Sequence, residues 1–168
     1  TVSKLDYSIA QQQLKVHQQQ LELIHNGIEK DQSFEQVKSD TINAECNVIC
    51  VARFDIPKDH RTLLLALQQI KHSPWRLKLV GSGPLLAEIK QLAGQLDMSE
   101  KIEFLGERSD VAELLTRADL FVLLSLWESL PISIIEAMRA GLPVIASDVG
   151  GITELVDDGV SGRVVAPG

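Results

Sequence analysis

The chain has 168 residues, of which 45% are apolar and 23% are charged, and its formal net charge is −7 at pH 7. This composition is typical of one packed globular domain, and the negative charge disfavours nucleic acid or an anionic lipid surface as the main partner. No apolar run approaches the roughly 18 residues of a membrane span.

The cysteines and histidines show no spacing that is typical of a reactive or metal-binding site. Cys46 and Cys50 lie four apart, which fits neither a C-x-x-C redox pair nor a zinc ribbon, so we expect two reduced thiols that are buried or half-buried. His17, His25 and His60 have no ligand-like spacing to each other, and we expect a solvated or hydrogen-bonded ring for each.

The first 45 residues are polar and weakly patterned. The glutamine-rich stretch at 8–23, SIAQQQLKVHQQQLEL, is compatible with a helix, although its apolar stripe is thin. The stretch LELIHNGIE at 21–29 predicts a short strand followed by an Asn-Gly turn. The polar residues that follow, 30–45, predict a linker or surface segment.

From residue 47 onward, short apolar runs alternate with helical patterns. The apolar runs are almost continuous, as expected for parallel strands that are covered on both faces. This alternation predicts an α/β fold, a Rossmann-like, doubly wound, parallel six-stranded sheet with helices on both faces and right-handed crossovers. The predicted strands are 47–52, 77–80, 101–105, 120–125, 143–147 and 162–166, and the predicted helices are 59–72, 84–96, 109–118, 131–140 and 151–156.

Ligands of such sheets bind beyond the carboxyl ends of the strands, where the strand order reverses. With the common order 3-2-1-4-5-6, the loops at 53–58 and 126–130 face one crevice. Arg53 and Lys58 are then placed to hold a phosphate or diphosphate, with help from the helix that starts near Pro131. On spacing alone, ordinary surface charges remain the alternative.

Two glutamates, Glu128 and Glu136, bracket seven mostly apolar residues, and neither has a basic neighbour in sequence. A carboxylate beside a diphosphate is repelled unless it accepts hydrogen bonds, and sugar hydroxyls are natural donors. Two carboxylates could therefore hold two sugars, one on each side of the phosphates. The alternative is that Glu128 helps the helix to start and that Glu136 points to solvent.

The glycine turns are weak signals by themselves. The turn GSGP at 81–84 matches neither a G-x-G-x-x-G fingerprint nor a Walker loop, and VGG at 149–151 could form an anion-binding nest. Each is equally compatible with a plain connection between a strand and a helix. No D-x-D pair and no Ser-His-Asp or Cys-His grouping is present in the sequence.

Several stretches together resemble the C-terminal domain of the retaining glycosyltransferases of family four, which have the two-domain GT-B fold. These stretches are LELIHNGIE, ARFDIPKDH, LKLVGSGPL, IEFLGERSDV and ADLFVLLSLWESLPISIIEAMRAGLPVIASDVGGITELVDDGVSGRVV. The resemblance covers residues 21–29 and 47–168. It implies three parts: 1–29 as the tail of an N-terminal GT-B domain, 30–46 as the interdomain linker, and 47–168 as the nucleotide-sugar-binding domain.

The resemblance also implies roles for individual residues. Arg53 and Lys58 look like the pair that grips the donor diphosphate and stabilises its charge as it leaves, and Glu128 looks like the catalytic carboxylate that reaches the transferred sugar. Asp59 stands where family members often have glycine, and a carboxylate pointing inward there would weaken anion binding. No metal and no other cofactor is expected.

The remaining implied contacts surround the sugar and the base. Glu136 looks like the carboxylate that binds the nucleotide ribose, and the backbone of Ser129 and Leu130 lies near the hydroxyls of the transferred sugar. Gly83 and the turn of Leu105 and Gly106 look like the edge of the base pocket.

The function implied by the resemblance is hexosyl transfer with retention from a nucleoside diphosphate sugar, UDP-sugar being favoured. The acceptor is expected to be a glycan or lipid-linked molecule held by the N-terminal domain, in surface polysaccharide or lipopolysaccharide biosynthesis. This half alone is expected to be inactive and cytoplasmic, with peripheral contact at the inner face of the cytoplasmic membrane left open for the longer protein. A non-catalytic nucleotide-binding module and a GT-B-like sugar-nucleotide epimerase are the alternatives.

Overall fold

The computed structural model describes residues 1–29 and 45–168, so the predicted linker at 30–46 lies almost wholly outside the described residues. The described part contains one parallel sheet in the order β3-β2-β1-β4-β5-β6, which confirms the predicted fold and strand order. The strands are β1 (Cys46–Val51), β2 (Trp75–Val80), β3 (Ile102–Gly106), β4 (Leu120–Leu123), β5 (Val144–Ser147) and β6 (Gly162–Val165).

Within the described residues, five α-helices and three short 3₁₀ turns connect or flank these strands. The predicted helices between strands begin and end within a few residues of the observed ones, except the last. The helices are α1 (Lys4–Gln12), α2 (His60–Gln69), α3 (Leu86–Gln95), α4 (Val111–Thr116) and α5 (Ile132–Arg139), and the 3₁₀ turns are Gln18–Gln20, Ser99–Lys101 and Ile152–Glu154. No helix within 1–29 or 45–168 is long and apolar enough to cross a membrane.

The core lies on both faces of the central strands. Consecutive residues of β1, Val48, Ile49 and Cys50, are all buried, although their side chains point alternately to opposite faces. The helices cover these faces with aliphatic stripes, as α2 does with Leu63, Leu64 and Leu67. This double cover explains why the strands read as continuous apolar runs.

Two predicted elements differ from the structure. The strand and the Asn-Gly turn expected within 21–29 are wrong: these residues show no strand and no turn, and two of them are hydrogen-bonded to Thr1. Ile24 N–H donates to the Thr1 carbonyl at 2.9 Å, and the Thr1 amino group donates to the Glu22 carbonyl at 2.9 Å. The helix expected at 151–156 is only the 3₁₀ turn Ile152–Glu154.

Candidate functional site

The loops that follow β1 and β4 are hydrogen-bonded to each other. Asp59 N–H donates to the Leu124 carbonyl at 2.9 Å, and Leu126 N–H donates to the Pro57 carbonyl at 2.8 Å. Between these two bonds, Lys58 and Ser125 form an isolated antiparallel bridge. The reversal of strand order between β1 and β4 thus brings these two loops into contact at the carboxyl ends of the strands.

Lys58 and Glu128 form an ion pair in this crevice. Their side chains are 18% and 10% exposed, so solvent screens the pair only in part. The Ser125 hydroxyl donates to the same Glu128 oxygen, Oε1, at 2.8 Å, and Ser125 N–H is bonded to the Ser147 hydroxyl at 3.0 Å. The basic partner of Glu128, which no neighbouring residue supplies, therefore comes from the loop after β1.

Arg53 is placed differently from Lys58. Its side chain is 81% exposed and forms an ion pair with Asp55 on the same loop. The other Asp55 oxygen, Oδ1, is buried and has no hydrogen-bond partner among the described residues. The exposed Arg53 side chain can therefore change rotamer towards a ligand with little loss of free energy. The Lys58 side chain is held by the packing and the ion pair around it.

Asp59, at the position where the resemblance leads us to expect glycine, caps a helix. Its carboxylate accepts a hydrogen bond from Thr62 N–H at 2.9 Å at the start of α2. A carboxylate at this position satisfies a free backbone donor of the first helical turn. The Asp59 carboxylate is thus directed at the start of α2, so it does not point inward as a charge that would weaken anion binding.

Phe54 joins the loop after β1 to the loop after β2, where Gly83 lies. Phe54 N–H donates to the Ser82 carbonyl at 2.8 Å, and the Phe54 carbonyl accepts from Leu85 N–H at 3.0 Å. A Cβ on Gly83 would lie 2.7 Å from the Phe54 carbonyl carbon, so only glycine permits this approach. Gly83 therefore borders the same crevice as the β1 loop.

The residues expected at the edge of the base pocket follow β2 and close β3. Gly106 is the last residue of β3, and its carbonyl accepts from Gly81 N–H at 2.8 Å. Gly81 lies two residues before Gly83. Leu105 is half-buried beside Gly106. The structure thus places Gly83, in the loop after β2, near the carboxyl end of β3, where Leu105 and Gly106 are the last two strand residues and not a turn.

His60 is neither solvated nor hydrogen-bonded within the described residues, so that expectation is wrong. Its ring stacks on Phe54 with centroids 4.2 Å apart and an interplanar angle of 8°. The side chain is buried, and neither ring nitrogen has a hydrogen-bond partner in the described part of the chain. Burial lowers the pKa of His60 to about 4, against smaller opposing effects from the Lys58 backbone and nearby carboxylates.

Glu136 lies in the second turn of α5, between the buried residues Ile134 and Ala137. Its side chain is partly buried and makes no hydrogen bond or ion pair within 1–29 and 45–168. Pro131 gives the first turn of α5 no side-chain cap, and its carbonyl accepts from Ile134 N–H at 3.2 Å. Glu136 is therefore on the helix that begins at the crevice, and the structure shows no contact between it and Glu128.

The backbone after Glu128 is held by close contacts. The Ser129 carbonyl accepts from Gly151 N–H at 2.7 Å. The Leu130 carbonyl accepts from the Asn26 side-chain amide at 2.7 Å. Gly150 approaches so closely that a Cβ there would lie 2.6 Å from the Glu128 carbonyl carbon. The Gly150-Gly151 turn thus fixes the Glu128 loop, and the contact of Asn26 was not predicted, since the sequence indicates only an Asn-Gly turn there.

The residues described contain no group of three or more His, Cys, Asp or Glu that could hold a metal ion. Cys50 is buried as expected, which raises the pKa of its thiol to about 12. The expectation is wrong for Cys46, which is exposed at the start of β1. The crevice therefore offers two cations, three carboxylates, a hydroxyl and backbone donors. Such a set can bind an anion and accept hydrogen bonds from hydroxyl groups.

Comparison with known proteins identifies the family. A family model described as glycosyl transferases group 1 matches residues 31–168. The N-acetyl-alpha-D-glucosaminyl L-malate synthase of Bacillus anthracis is 42% identical over 93 residues, which are 55% of this chain and 24% of that protein. The Vi polysaccharide biosynthesis protein VipC/TviE of Salmonella typhi is 32% identical over 164 residues, which are 90% of this chain and 28% of that protein.

A solved structure agrees with these relatives. Anabaena Alr3699/HepE in complex with UDP superposes with a TM-score of 0.82 at 27% identity, covering 99% of this chain and 49% of that one. The chain spans about a quarter of the length of the two curated relatives and about half of this structure. Because the family model covers well over half of the chain, this protein belongs to the glycosyl transferases group 1, and its parallel sheet is a Rossmann-like domain of the GT-B type.

Proposed function

We propose that this chain is the donor-binding half of a retaining glycosyltransferase. It would hold a nucleoside diphosphate sugar while a hexose-type sugar passes to a glycan or lipid-linked acceptor bound by a second domain. The observation that carries the proposal is the partly buried Lys58–Glu128 pair, joined to Ser125, at the point where strand order reverses. Polar groups gathered at this edge of a doubly wound sheet are typical of a ligand site.

In the proposed mode of binding, Lys58 and Arg53 contact the diphosphate. Both cations have carboxylate partners in this structure, so the phosphate would compete with Glu128 for Lys58 and with Asp55 for Arg53. The exchange favours the ligand, because a diphosphate carries more charge than a carboxylate and can be contacted by both cations together. The free backbone donors at the start of α5 add a positive end of a helix dipole.

Once Lys58 turns to the phosphate, Glu128 is free to accept from a sugar hydroxyl while Ser125 keeps its carboxylate in place. Glu136 has no side-chain partner in the described residues, which leaves it available for the two ribose hydroxyls. As the bond between the sugar and the diphosphate breaks, negative charge grows on the departing diphosphate. Lys58, Arg53 and the helix end stabilise this charge electrostatically. This mechanism uses only side chains and backbone groups of the protein.

The nature of the relatives supports the donor and the pathway. The Anabaena neighbour was solved with UDP, which favours a UDP-sugar here. The Salmonella relative is named for the biosynthesis of a polysaccharide, which favours surface polysaccharide or lipopolysaccharide as the product. The longer protein would act in the cytoplasm, where nucleotide sugars are made, and the isolated chain would bind without catalysing transfer.

The test compares the affinities of this chain for UDP and for its 2′-deoxy analogue by isothermal titration calorimetry. If Glu136 accepts from the ribose hydroxyls, the wild-type chain binds UDP about ten- to a hundredfold more tightly than the analogue. Glu136→Ala removes that preference, whereas Glu113→Ala on the exposed face of α4 keeps it. If Glu136→Ala lowers the affinities for UDP and for the analogue equally, so that the preference for UDP survives, the assignment of Glu136 is contradicted.

A further inference from the structure

Residues Asn26–Glu29 contact both ends of α5. The Asn26 side-chain amide donates to the Leu130 carbonyl at 2.7 Å, just before the helix begins. At the other end, the Arg139 guanidinium donates to the Glu29 carbonyl at 2.8 Å. These contacts join residues more than 100 positions apart in sequence. A short stretch of the N-terminal segment therefore lies along the helix that carries Glu136.

The dimensions of the two elements agree with this arrangement. Residues 26–29 have no helical structure, and three residue steps of extended chain cover about 10 Å. The eight residues of α5 cover about 12 Å along the helix axis. The difference is easily bridged by the long Arg139 side chain, so one extended stretch can contact both helix ends.

The N-terminal segment is also attached to the turn that follows Gly151. Glu154 accepts from Lys4 N–H at 2.7 Å through one carboxylate oxygen, and its other oxygen lies 3.0 Å from His25 Nε2. Ser3 is buried against the same turn, with its Cβ 2.8 Å from where a Cβ on Gly151 would lie. One carboxylate thus anchors both the start of the segment and the residue that precedes Asn26.

These attachments converge on the backbone that follows Glu128. The Ser129 carbonyl is held by Gly151 N–H, and the next carbonyl, that of Leu130, is held by Asn26. Two consecutive carbonyls are therefore fixed from two parts of the chain, directly after the proposed sugar-contacting carboxylate. Within the described residues, no other side chain donates a hydrogen bond to the Leu130 carbonyl.

We infer that Asn26 is a positioning residue for the candidate site: its amide fixes the Leu130 carbonyl and so holds the Glu128 loop and the start of α5. The role in ligand binding rests on the proposed function, whereas the hold on the loop rests on the contacts alone. Asparagine suits the position because its side-chain amide can donate to a carbonyl. Aspartate has the same shape but offers only acceptors when ionised, so it would place two oxygens against each other.

The experiment measures amide hydrogen exchange by NMR, with UDP affinity as a second readout, on the wild-type chain and on Asn26→Ala and Asn26→Asp. The matched control is Asn47→Ala, which removes an amide-to-carboxylate bond of 3.1 Å to Asp119 at the opposite end of the sheet. We expect exchange at Gly151 and Ile134 to be about fivefold to tenfold faster in both Asn26 variants, and unchanged in the control. UDP affinity should fall in the Asn26 variants, with Asn26→Asp at least as weak as Asn26→Ala.

Unchanged exchange at Gly151 and Ile134 in both variants overturns the inference. It is also overturned if Asn26→Asp exchanges like wild type, because the residue then acts only by filling space. If the exchange result is as expected but the wild-type chain binds none of the nucleoside diphosphates, the hold on the loop is supported and the proposed function fails. The two proposals can thus be told apart by one set of samples.

Discussion

The Lys58 ammonium and the Glu128 carboxylate meet across the crevice although they are 70 residues apart in the chain. Each side chain is mostly shielded from solvent, and Ser125 completes the contact by donating to the carboxylate. The pair joins the loop after β1 to the loop after β4. It therefore contributes to the geometry of the candidate site and to the stability of the fold at the same time.

The first prediction concerns the energy of this pair. Lys58→Met and Glu128→Gln should each destabilise the domain, because the partner that remains is a shielded charge without its counterion. The double variant should lose less unfolding free energy than the two single variants together. The coupling energy in this double-mutant cycle should be roughly 1–3 kcal/mol. Urea unfolding of the four proteins measures the coupling, and additive losses would show that the two groups do not interact.

The second prediction concerns the close approach of Gly150. Its φ is +61°, and a Cβ would lie 2.6 Å from the Glu128 carbonyl carbon, so Gly150→Ala has to displace the backbone of the Glu128 loop. We expect a loss of about 3 kcal/mol or more in the free energy of unfolding. Gly106→Ala is the matched control, since its φ is +67° but a Cβ there would meet nothing within 4 Å. The control should lose only about 1 kcal/mol; equal losses would mean that backbone strain alone, and no clash, sets the cost.

The third prediction concerns the pH dependence of stability. The pKa of His60 is lowered by burial from 6.5 in the unfolded chain to about 4 in the folded one. Between these values the unfolded chain binds more protons, so the contribution of His60 to stability is complete above pH 6.5 and is lost as pH falls towards 4. Neither ring nitrogen makes a hydrogen bond in the described residues, so His60→Phe should keep the stack on Phe54 and remove this loss.

The difference in unfolding free energy between wild type and His60→Phe should therefore change by about 2 kcal/mol from pH 7 to pH 5, in favour of the variant at low pH. Denaturant unfolding at the two pH values measures it. His72→Phe, an exposed position after α2, controls for the general effect of replacing a histidine. A His60→Phe variant with the same pH slope as wild type would show that His60 is not the group responsible.

The fourth prediction compares two of the arginines that form surface ion pairs. Arg53 pairs with Asp55 at the crevice, and Arg76 pairs with Glu45 near the opposite end of the sheet, where its side chain is 58% exposed. If Arg53 contacts the diphosphate, Arg53→Ala should weaken UDP binding about ten- to a hundredfold, because a charge-assisted hydrogen bond is lost. Arg76→Ala should leave the affinity unchanged. Similar effects of the two substitutions would indicate a general effect of net charge on binding.

Strand order and the meeting of the two crevice loops could be predicted because they follow from local patterns. Each apolar run is long enough to be read as a strand, and parallel strands joined by helices permit few topologies. The last helix was predicted too long because GITELV has a helical pattern, but it follows the Gly150-Gly151 turn and continues into Asp157 and Asp158. Only the 3₁₀ turn Ile152–Glu154 forms between them.

The pairing of particular side chains could not be predicted from the sequence. Glu128 has no basic neighbour in sequence, and its partner Lys58 comes from the loop after another strand. The burial of His60 was missed because its stack on Phe54 depends on how the residues between them fold, which no sequence pattern indicates. Asn26 was missed because its contact with Leu130 requires the N-terminal segment to pack on α5, which no periodicity indicates.

We expect the crevice beside Lys58 and Glu128 to bind a nucleoside diphosphate. The most direct test is an NMR titration of this chain with UDP, GDP, ADP and CDP, each to millimolar concentration. One nucleotide, with UDP favoured, should shift signals that cluster at Arg53, Lys58, Gly83 and Glu136. Shifts that cluster elsewhere, or none with any of the four nucleotides, would contradict it.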